Sequence, residues 1–513
     1  MKNKRQLVIN LISSSLAFAI GPGINLVLYP YIIKHIGVEA FGFAALAVSF
    51  TGYAQLVTIA INSMAGRFIT VKIHEDDYEG AVRYFNSVLI TNIIIALFLL
   101  ITSVFCIIYL EKMIKIPQDI LLDVKALFSF IFAGFLINAV DNTFGVGVFA
   151  TNRLDISSGR DMITSILRGV LLFCLFYFFR PRIAYLGAVT LTITLIVFIT
   201  NIFFTRKLLP ELKFAWKFDP KAVLEIASAG AWNVLGRLGG ILTQGIDLLI
   251  ANIFISAKAM GVISVSKTIP ILMVTVAGML NGVFAPQVTI SYAQKDFEEI
   301  KKQLGFSIKM LGMMTGVPIA IATAFGTDFY RLWVPGQDAV LLYWLTMTTI
   351  ISLVFSGPMG VLGNVFTATN RIKTASVVIF FQSLLSAITV LTAINFIKNE
   401  DLGMFVIVGV GSLFAILMNI TFIPIYAARC LDFEWHIFYP LIARIFAGYA
   451  ALSALLLVFH AYFIANTWVK FGTALIASGV LGLALNFFIM FKKEERKRII
   501  ELFMKQLKTG GIN

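Results

Sequence analysis

The sequence predicts an all-α polytopic membrane protein of about fourteen transmembrane helices, with two pseudo-symmetric six-helix lobes and two extra C-terminal helices. Three observations lead there. The 513 residues are 59% hydrophobic and only 13% charged, against roughly 45–50% and about 25% in an ordinary globular chain. Apolar runs of roughly 20 residues, each long enough to cross a ~30 Å hydrocarbon core, recur from end to end. Short motifs also repeat in the same order at an offset of about 218 residues, the mark of a duplicated unit.

The expected spans are 7–33, 41–63, 85–110, 125–149, 161–179, 184–205, 222–255, 260–291, 305–330, 339–366, 374–397, 402–428, 438–464 and 468–491. The first follows Lys2, Lys4 and Arg5 as a signal peptide would, but it runs too long and lacks a cleavage site, so it reads as an uncleaved helix. No stretch remains for a soluble catalytic domain, and no catalytic residues are expected. Passage of something across the bilayer is the function class left. Cys106, Cys174 and Cys430 are scattered, as are His35, His74, His436 and His460. Neither a disulfide framework nor a metal site is expected from them.

The formal net charge of +14 is decided by its placement. About 28 Lys and Arg fall on the side of the N-terminus and about 9 on the other, the asymmetry of the positive-inside rule. Both termini are therefore expected to be cytoplasmic, and nucleic acid is not an expected partner. The tail from Lys492 to Arg498 reads as an amphipathic helix on the anionic inner leaflet.

The repeat is carried by three matches. Val148-Phe149-Ala150-Thr151-Asn152-Arg153 recurs, with one insertion, as Val365-Phe366-Thr367-Ala368-Thr369-Asn370-Arg371; Ile116-Pro117-Gln118-Asp119 recurs as Val334-Pro335-Gly336-Gln337-Asp338; Ala40-Phe41-Gly42 matches Ala259-Met260-Gly261. Six helices per copy is an even number, so both copies enter from the same side, related by an axis along the membrane normal. The expected domains are residues 1–215, 216–435 and 436–513, the last holding two helices outside the repeat and a basic tail. Substrate sites in such repeats lie between lobes near the midplane, and transport proceeds by alternating access.

An ionisable residue at a helix centre costs about 2.5–3.5 kcal/mol on insertion scales, so each needs a partner or a purpose. Depth counted from the connecting turns places Asp141 level with Arg168, and Asp247 level with Lys267. Each pair reads either as a structural ion pair or as a coupling-ion site. Arg237 has no acid at a matching position. Asn233, Arg237, Gly240, Gln244 and Asp247 share one face of a helix, backed by Gly236, Gly239 and Gly245. A guanidinium there can fork onto two oxygens of a phosphate or carboxylate; the alternative is Arg237 bonded to carbonyls of a broken helix. Arg67 reads as an inner-mouth residue able to receive an anionic headgroup. Gly21-Pro22-Gly23 and Gly357-Pro358 are candidate kinks.

Pro30-Tyr31-Ile32-Ile33-Lys34-His35-Ile36-Gly37 followed by Phe41-Gly42, then Tyr84-Phe85-Asn86-Ser87 and Ala150-Thr151-Asn152-Arg153, resembles the oligosaccharide flippases of the multidrug/oligosaccharidyl-lipid/polysaccharide superfamily. The resemblance implies an undecaprenyl-pyrophosphate-linked glycan as cargo, flipped from inner to outer leaflet for O-antigen or capsule-type polysaccharide. It implies no cofactor beyond a proton or sodium as coupling ion, and membrane lipid, a polymerase or glycosyltransferases as partners. Multidrug extruders and lipid II flippases share the superfamily. The span 7–33 carries neither the acid typical of the first nor the arginines typical of the second. A polytopic enzyme would need a larger outer loop than this chain has, and no GxxxxGK[ST] phosphate loop is present.

Overall fold

The computed structural model describes residues 2–497 and Glu501. In lipid every backbone polar group must be satisfied within its own segment, which selects helices for so apolar a chain. Among the described residues thirteen helices are long and apolar enough to cross a membrane. The first, α1 (Lys2–His74), has 73 residues, or about 110 Å at 1.5 Å per residue. It is two helices joined at Gly37, whose φ of 84° and ψ of 162° lie outside helical space. Counting α1 twice gives the fourteen expected crossings. Pro22 and Pro30 lie inside the first half of α1, but the break falls at Gly37, where a backbone with positive φ favours a residue without Cβ.

The chain divides into two compact units. Unit 1 comprises Met1–Val265 with Ile379–Ala387 and Ile394–Gly403. Its helices are α1, α2 (Tyr78–Ile108), the short α3 (Leu110–Met113), α4 (Leu121–Phe144), α5 (Val146–Ala150), α6 (Leu154–Phe178), α7 (Ala184–Leu208), α8 (Pro220–Gly240), α9 (Asp247–Ile250) and most of α10 (Ala257–Ser266). Within it α1 packs on α2, α6 and α8, while α4 packs on α2 and α7. One apolar cluster joins Ile61, Ile69, Tyr84, Phe85, Val88 and Ile226. The expected boundary at 215 follows the repeat, whereas the compact units follow packing, and residues 216–265 are gathered with unit 1.

Unit 2 holds Ser266–Val378, Ile388–Ala393 and Met404–Asn513. It contains α11 (Thr268–Ala293), α12 (Phe297–Trp333), α13 (Ala339–Ile350), α14 (Leu353–Met359), α15 (Gly363–Ala368), most of α16 (Ile372–Ile394) and of α17 (Glu400–Ile420), α18 (Phe422–Cys430), α19 (Tyr439–Tyr462) and α20 (Trp468–Met490). The centre is α12, against which α11, α13, α14, α19 and α20 pack. Leu304, Ile308, Leu311, Ile445, Leu452 and Leu456 belong to its core. Pro358 stands in α14 just before a 3-10 turn, Gly360–Leu362. Lys309 of α12 is buried and bonds Glu495 at 2.6 Å. Burial works to raise the Glu495 carboxyl, yet the hydrogen bonds and charges of Lys309 and Lys492 hold it below its ordinary range. That contact ties the start of the tail to α12; residues 493–497 are helical, and of the expected stretch from Lys492 to Arg498 only Arg498 lies outside the described residues.

The duplication is written in the turns. Asp76 and Lys295 both adopt positive φ, 58° and 57°. The residues after them, Asp77 and Asp296, cap α2 and α12 by accepting from the amides of Gly80 and Glu299, each at 2.9 Å. Asn152 and Asn370 likewise share φ of 54° and 55°. Arg153 N donates to Val148 O, and Arg371 N to Phe366 O. Thr151 Oγ1 donates to Gly147 O, and Thr369 Oγ1 to Val365 O. The hydrogen bonds thus set Val148 against Phe366 and need no insertion inside the turn, a correction to the register that side-chain identity suggests.

Candidate functional site

The polar face expected on 233–247 is built on α8, which Asp219 caps and Pro220 opens. Gly236, Gly239 and Gly240 weaken its end, since each glycine costs up to about 1 kcal/mol in a helix interior. The helix gives way to a π-helical turn over Ile241–Gly245, then α9, then a second π-turn over Ala251–Ile255. Such turns displace one residue's hydrogen bonding and re-aim the side chains around it. The Gly245 carbonyl is taken up by Tyr53 Oη of α1 at 2.6 Å.

The same half of α1 receives α8 along its length. A Cβ on Gly230 would stand 1.8 Å from the Ala60 carbonyl oxygen, so the two backbones touch and only glycine fits. Below that point Tyr84 Oη of α2 donates to Glu225 Oε2 at 2.5 Å. Above it Asn233 Nδ2 donates to Ser63 Oγ at 3.0 Å, and Arg237 Nη2 donates to Gln55 Oε1 at 2.9 Å. The alternative of Arg237 on backbone carbonyls is not what forms.

Arg237 is exposed. Among the described residues no carboxylate lies within 4 Å of it, and its single hydrogen-bond partner is the neutral amide of Gln55. The cation is therefore held in place with no countercharge and no further acceptor among the described residues. Arg67 is one turn beyond Ser63 on α1, exposed and outside any ion pair among the described residues. The structure joins Asn233 and Arg237 to α1 and puts Arg67 on that helix, without a recorded contact between the two arginines. The Gln244 side chain lies outside the described residues.

A second polar cluster sits between α4, α6 and α7. Both carboxylate oxygens of buried Asp141 accept from Asn201 Nδ2 at 2.9 Å, and Asn201 Oδ1 accepts from Arg160 Nη1. The expected Asp141–Arg168 ion pair does not form. Short α5 continues the descent of α4, and the connection centres on 151–153. Counting depth from that turn misplaces Arg168 by about 7 Å, at 1.5 Å per residue. Arg168 instead lines, with Asp141, Asp161, Thr164, Asn138 and Thr194, a polar cavity of about 280 Å³, and its Nε has no hydrogen-bond partner.

Asp247 opens α9 in unit 1, and Lys267 lies between α10 and α11 in unit 2; both are buried. Sequence reasoning passed over Tyr53, Gln55 and Asn201, polar residues inside apolar spans, which is the signal that could have found them, and Arg160, one residue before the span expected from 161. It also passed over Asp328 in unit 2, which is buried and accepts from His460 Nε2 at 2.9 Å and from Ala465 N at 3.0 Å.

A family model described as "Polysaccharide biosynthesis protein" matches residues 7–292. Over 521 residues the chain is 28% identical to the uncharacterized membrane protein EpsK of Bacillus subtilis (strain 168), covering 99% of this chain and 100% of that one. Among solved structures it is similar to the lipid II flippase MurJ in an inward closed conformation, with TM-score 0.69, 14% identity, and 93% and 98% of the two chains covered. It is also similar to an inward-facing multidrug resistance MATE family transporter of the MOP superfamily, with TM-score 0.64, 14% identity, and 83% and 99% covered. At such identities these likenesses speak for the fold.

Proposed function

We propose, starting from the fact that this chain belongs to the polysaccharide biosynthesis protein family, that it flips an undecaprenyl-pyrophosphate-linked oligosaccharide from the inner to the outer leaflet by alternating access. It is a multi-pass membrane protein, and on this reading it works in a bacterial cytoplasmic membrane with both termini inside. A polymerase and glycosyltransferases act before and after it on the same glycan.

The observation that carries the reading is Arg237, exposed and held by neutral Gln55. An arginine beside a carboxylate would be spoken for. Fixed by an amide, it offers a planar fork to the oxygens of a pyrophosphate, with Asn233 on the same face and Arg67 as an earlier contact. Charge-assisted bonds of this kind contribute about 1.5–3 kcal/mol each.

Outward movement of a pyrophosphate with about two negative charges gains about 2.3 kcal/mol per charge per 100 mV from a negative interior. On this reading the membrane potential contributes to the export step without a nucleotide. The alternative drive is a proton or sodium gradient acting at one of the buried carboxylates, Asp141 or Asp247. Export in vesicles with the potential collapsed and the ion gradient kept separates the two: continued export favours coupling.

The test of the reading is surface polysaccharide in cells carrying Arg237→Ala at normal membrane abundance. The expected result is loss of the polymer; normal polymer removes Arg237 from the site. A cation-coupled extruder of drugs or metabolites would leave the polymer untouched and alter resistance instead.

A further inference from the structure

The chain between α7 and α8, residues 209–219, turns at 210–211 and then runs without regular structure to Asp219, pinned by side chains of α2. Fully buried Asn86 of α2 acts on it as a neighbouring strand would: Nδ2 donates to Lys213 O at 3.0 Å and Oδ1 accepts from Ala215 N at 2.7 Å. Four residues beyond Ala215, Asp219 N donates to Ser87 Oγ at 3.0 Å. Asn86 and Ser87 belong to the Tyr-Phe-Asn-Ser motif, and this is what they do there.

Phe214, Trp216 and Phe218 stand at alternate positions of the pinned segment. All three are exposed, Trp216 at 77%, and the rings of Phe214 and Trp216 stand edge to face at 5.1 Å. Beneath them, Trp216, Phe218, Tyr78, Val82 and Arg83 line part of a cavity of about 830 Å³. Three rings held open by a fixed backbone are an unmet apolar face.

Its position and charge say what covers that face. α7 ends at Leu208 and α8 begins at Pro220, so both ends of the segment are tied to membrane-length helices. Arg206, Lys207, Lys213, Lys217 and Lys221 flank the rings in sequence, against Glu211 and Asp219, and Arg83, Asp77 and Glu79 line the cavity beside them. Asp219 is occupied by the α8 N-terminus and by Arg83 at 3.6 Å. Aromatic rings with a polar or charged neighbour settle at the headgroup level, and each lysine near an anionic surface adds about 1 kcal/mol.

We propose that residues 213–218 form an interfacial strip on the anionic inner leaflet, with the three rings at the acyl boundary and Lys213 and Lys217 on lipid phosphates. The strip fixes the depth of the joint between α7 and α8, and it does so independently of the cargo. A spin label at Trp216→Cys, with Cys106, Cys174 and Cys430 changed to Ser, reports this in the full chain reconstituted into phosphatidylcholine vesicles with or without phosphatidylglycerol. The label is expected to collide with oxygen in the bilayer and to be shielded from an aqueous nickel chelate in phosphatidylglycerol vesicles. Lys213→Gln/Lys217→Gln is expected to shift it toward the chelate. A label at 216 as open to the chelate as one at exposed Asp76, or one shielded from both reagents as by a protein partner, overturns the proposal. Should the labelled chain fail to insert, wild type and Trp216→Phe are compared for quenching by phosphatidylglycerol brominated near the headgroup. A quenched component lost in Trp216→Phe supports the strip; identical quenching overturns it.

Discussion

The α1–α8 seam and the α4–α6–α7 cluster treat charge inside the membrane in opposite ways. Asp141 is buried, both oxygens accept from Asn201, and Asn201 passes the charge on to Arg160. Arg237 is exposed and bonded to a neutral amide. A compensated charge adds order to its surroundings and has little left to offer a ligand, because its desolvation is already offset by fixed partners. An uncompensated one at a broken helix has its donors free. On the proposed function, the contrast gives Asp141 to architecture and Arg237 to cargo.

Perturbing the two regions separately breaks or sharpens the contrast. The largest effect is expected at the backbone contact beneath Arg237. Gly230→Val puts a branched side chain where even a Cβ meets the Ala60 carbonyl at 1.8 Å, and overpacking of this kind costs about 1–3 kcal/mol or more. Purified protein should melt earlier and transport should fail, since α8 is pushed off α1; an unchanged melting temperature would show that the seam gives way easily.

Next comes Asp141→Ala, which leaves the buried Asn201 amide without its acceptor at a cost of about 1–3 kcal/mol. Melting should fall while transport per folded molecule stays near wild type. Transport lost in Asp141→Asn with full thermal stability would move Asp141 from architecture to coupling and erase the contrast. Tyr53→Phe should lower stability by about 1 kcal/mol by releasing the Gly245 carbonyl, measured by the same melts.

The smallest effect is at Asp77. The Gly80 amide, and then Lys72, hold its carboxyl below the ordinary carboxylate range. A depressed folded value means that the cap's contribution is whole above the unfolded carboxylate pKa of about 3.9 and disappears as pH falls through the folded one. Asp77→Asn should flatten the acid limb of a melting-temperature profile and leave the neutral region nearly unchanged.

The spans and the repeat were legible because hydropathy and length are local properties. The fourteen crossings follow from runs of apolar residues, and even the break in α1 falls between two expected spans, at Gly37. Partners were less legible, because they depend on the register between helices far apart in sequence. Arg237 could be singled out for lacking a nearby acid, but Gln55 sits on a helix 182 residues away and nothing local points to it. Arg168 was matched to Asp141 by assuming one simple turn, and short α5 changed the count. In the same way, the Asn in each Ala-Thr-Asn-Arg or Thr-Asn-Arg stretch was visible as a repeated letter, while its positive φ, the reason for repeating it, belongs to the backbone.

Translocation of a polyprenyl-pyrophosphate-linked oligosaccharide in proteoliposomes, compared across wild type, Arg237→Lys and Arg237→Gln, tests the central claim most directly. The account predicts that Gln, which keeps a polar side chain but no charge, slows translocation roughly tenfold or more, the equivalent of about 1.4 kcal/mol, while Lys keeps part of the rate. Translocation by Arg237→Gln at the wild-type rate would contradict it.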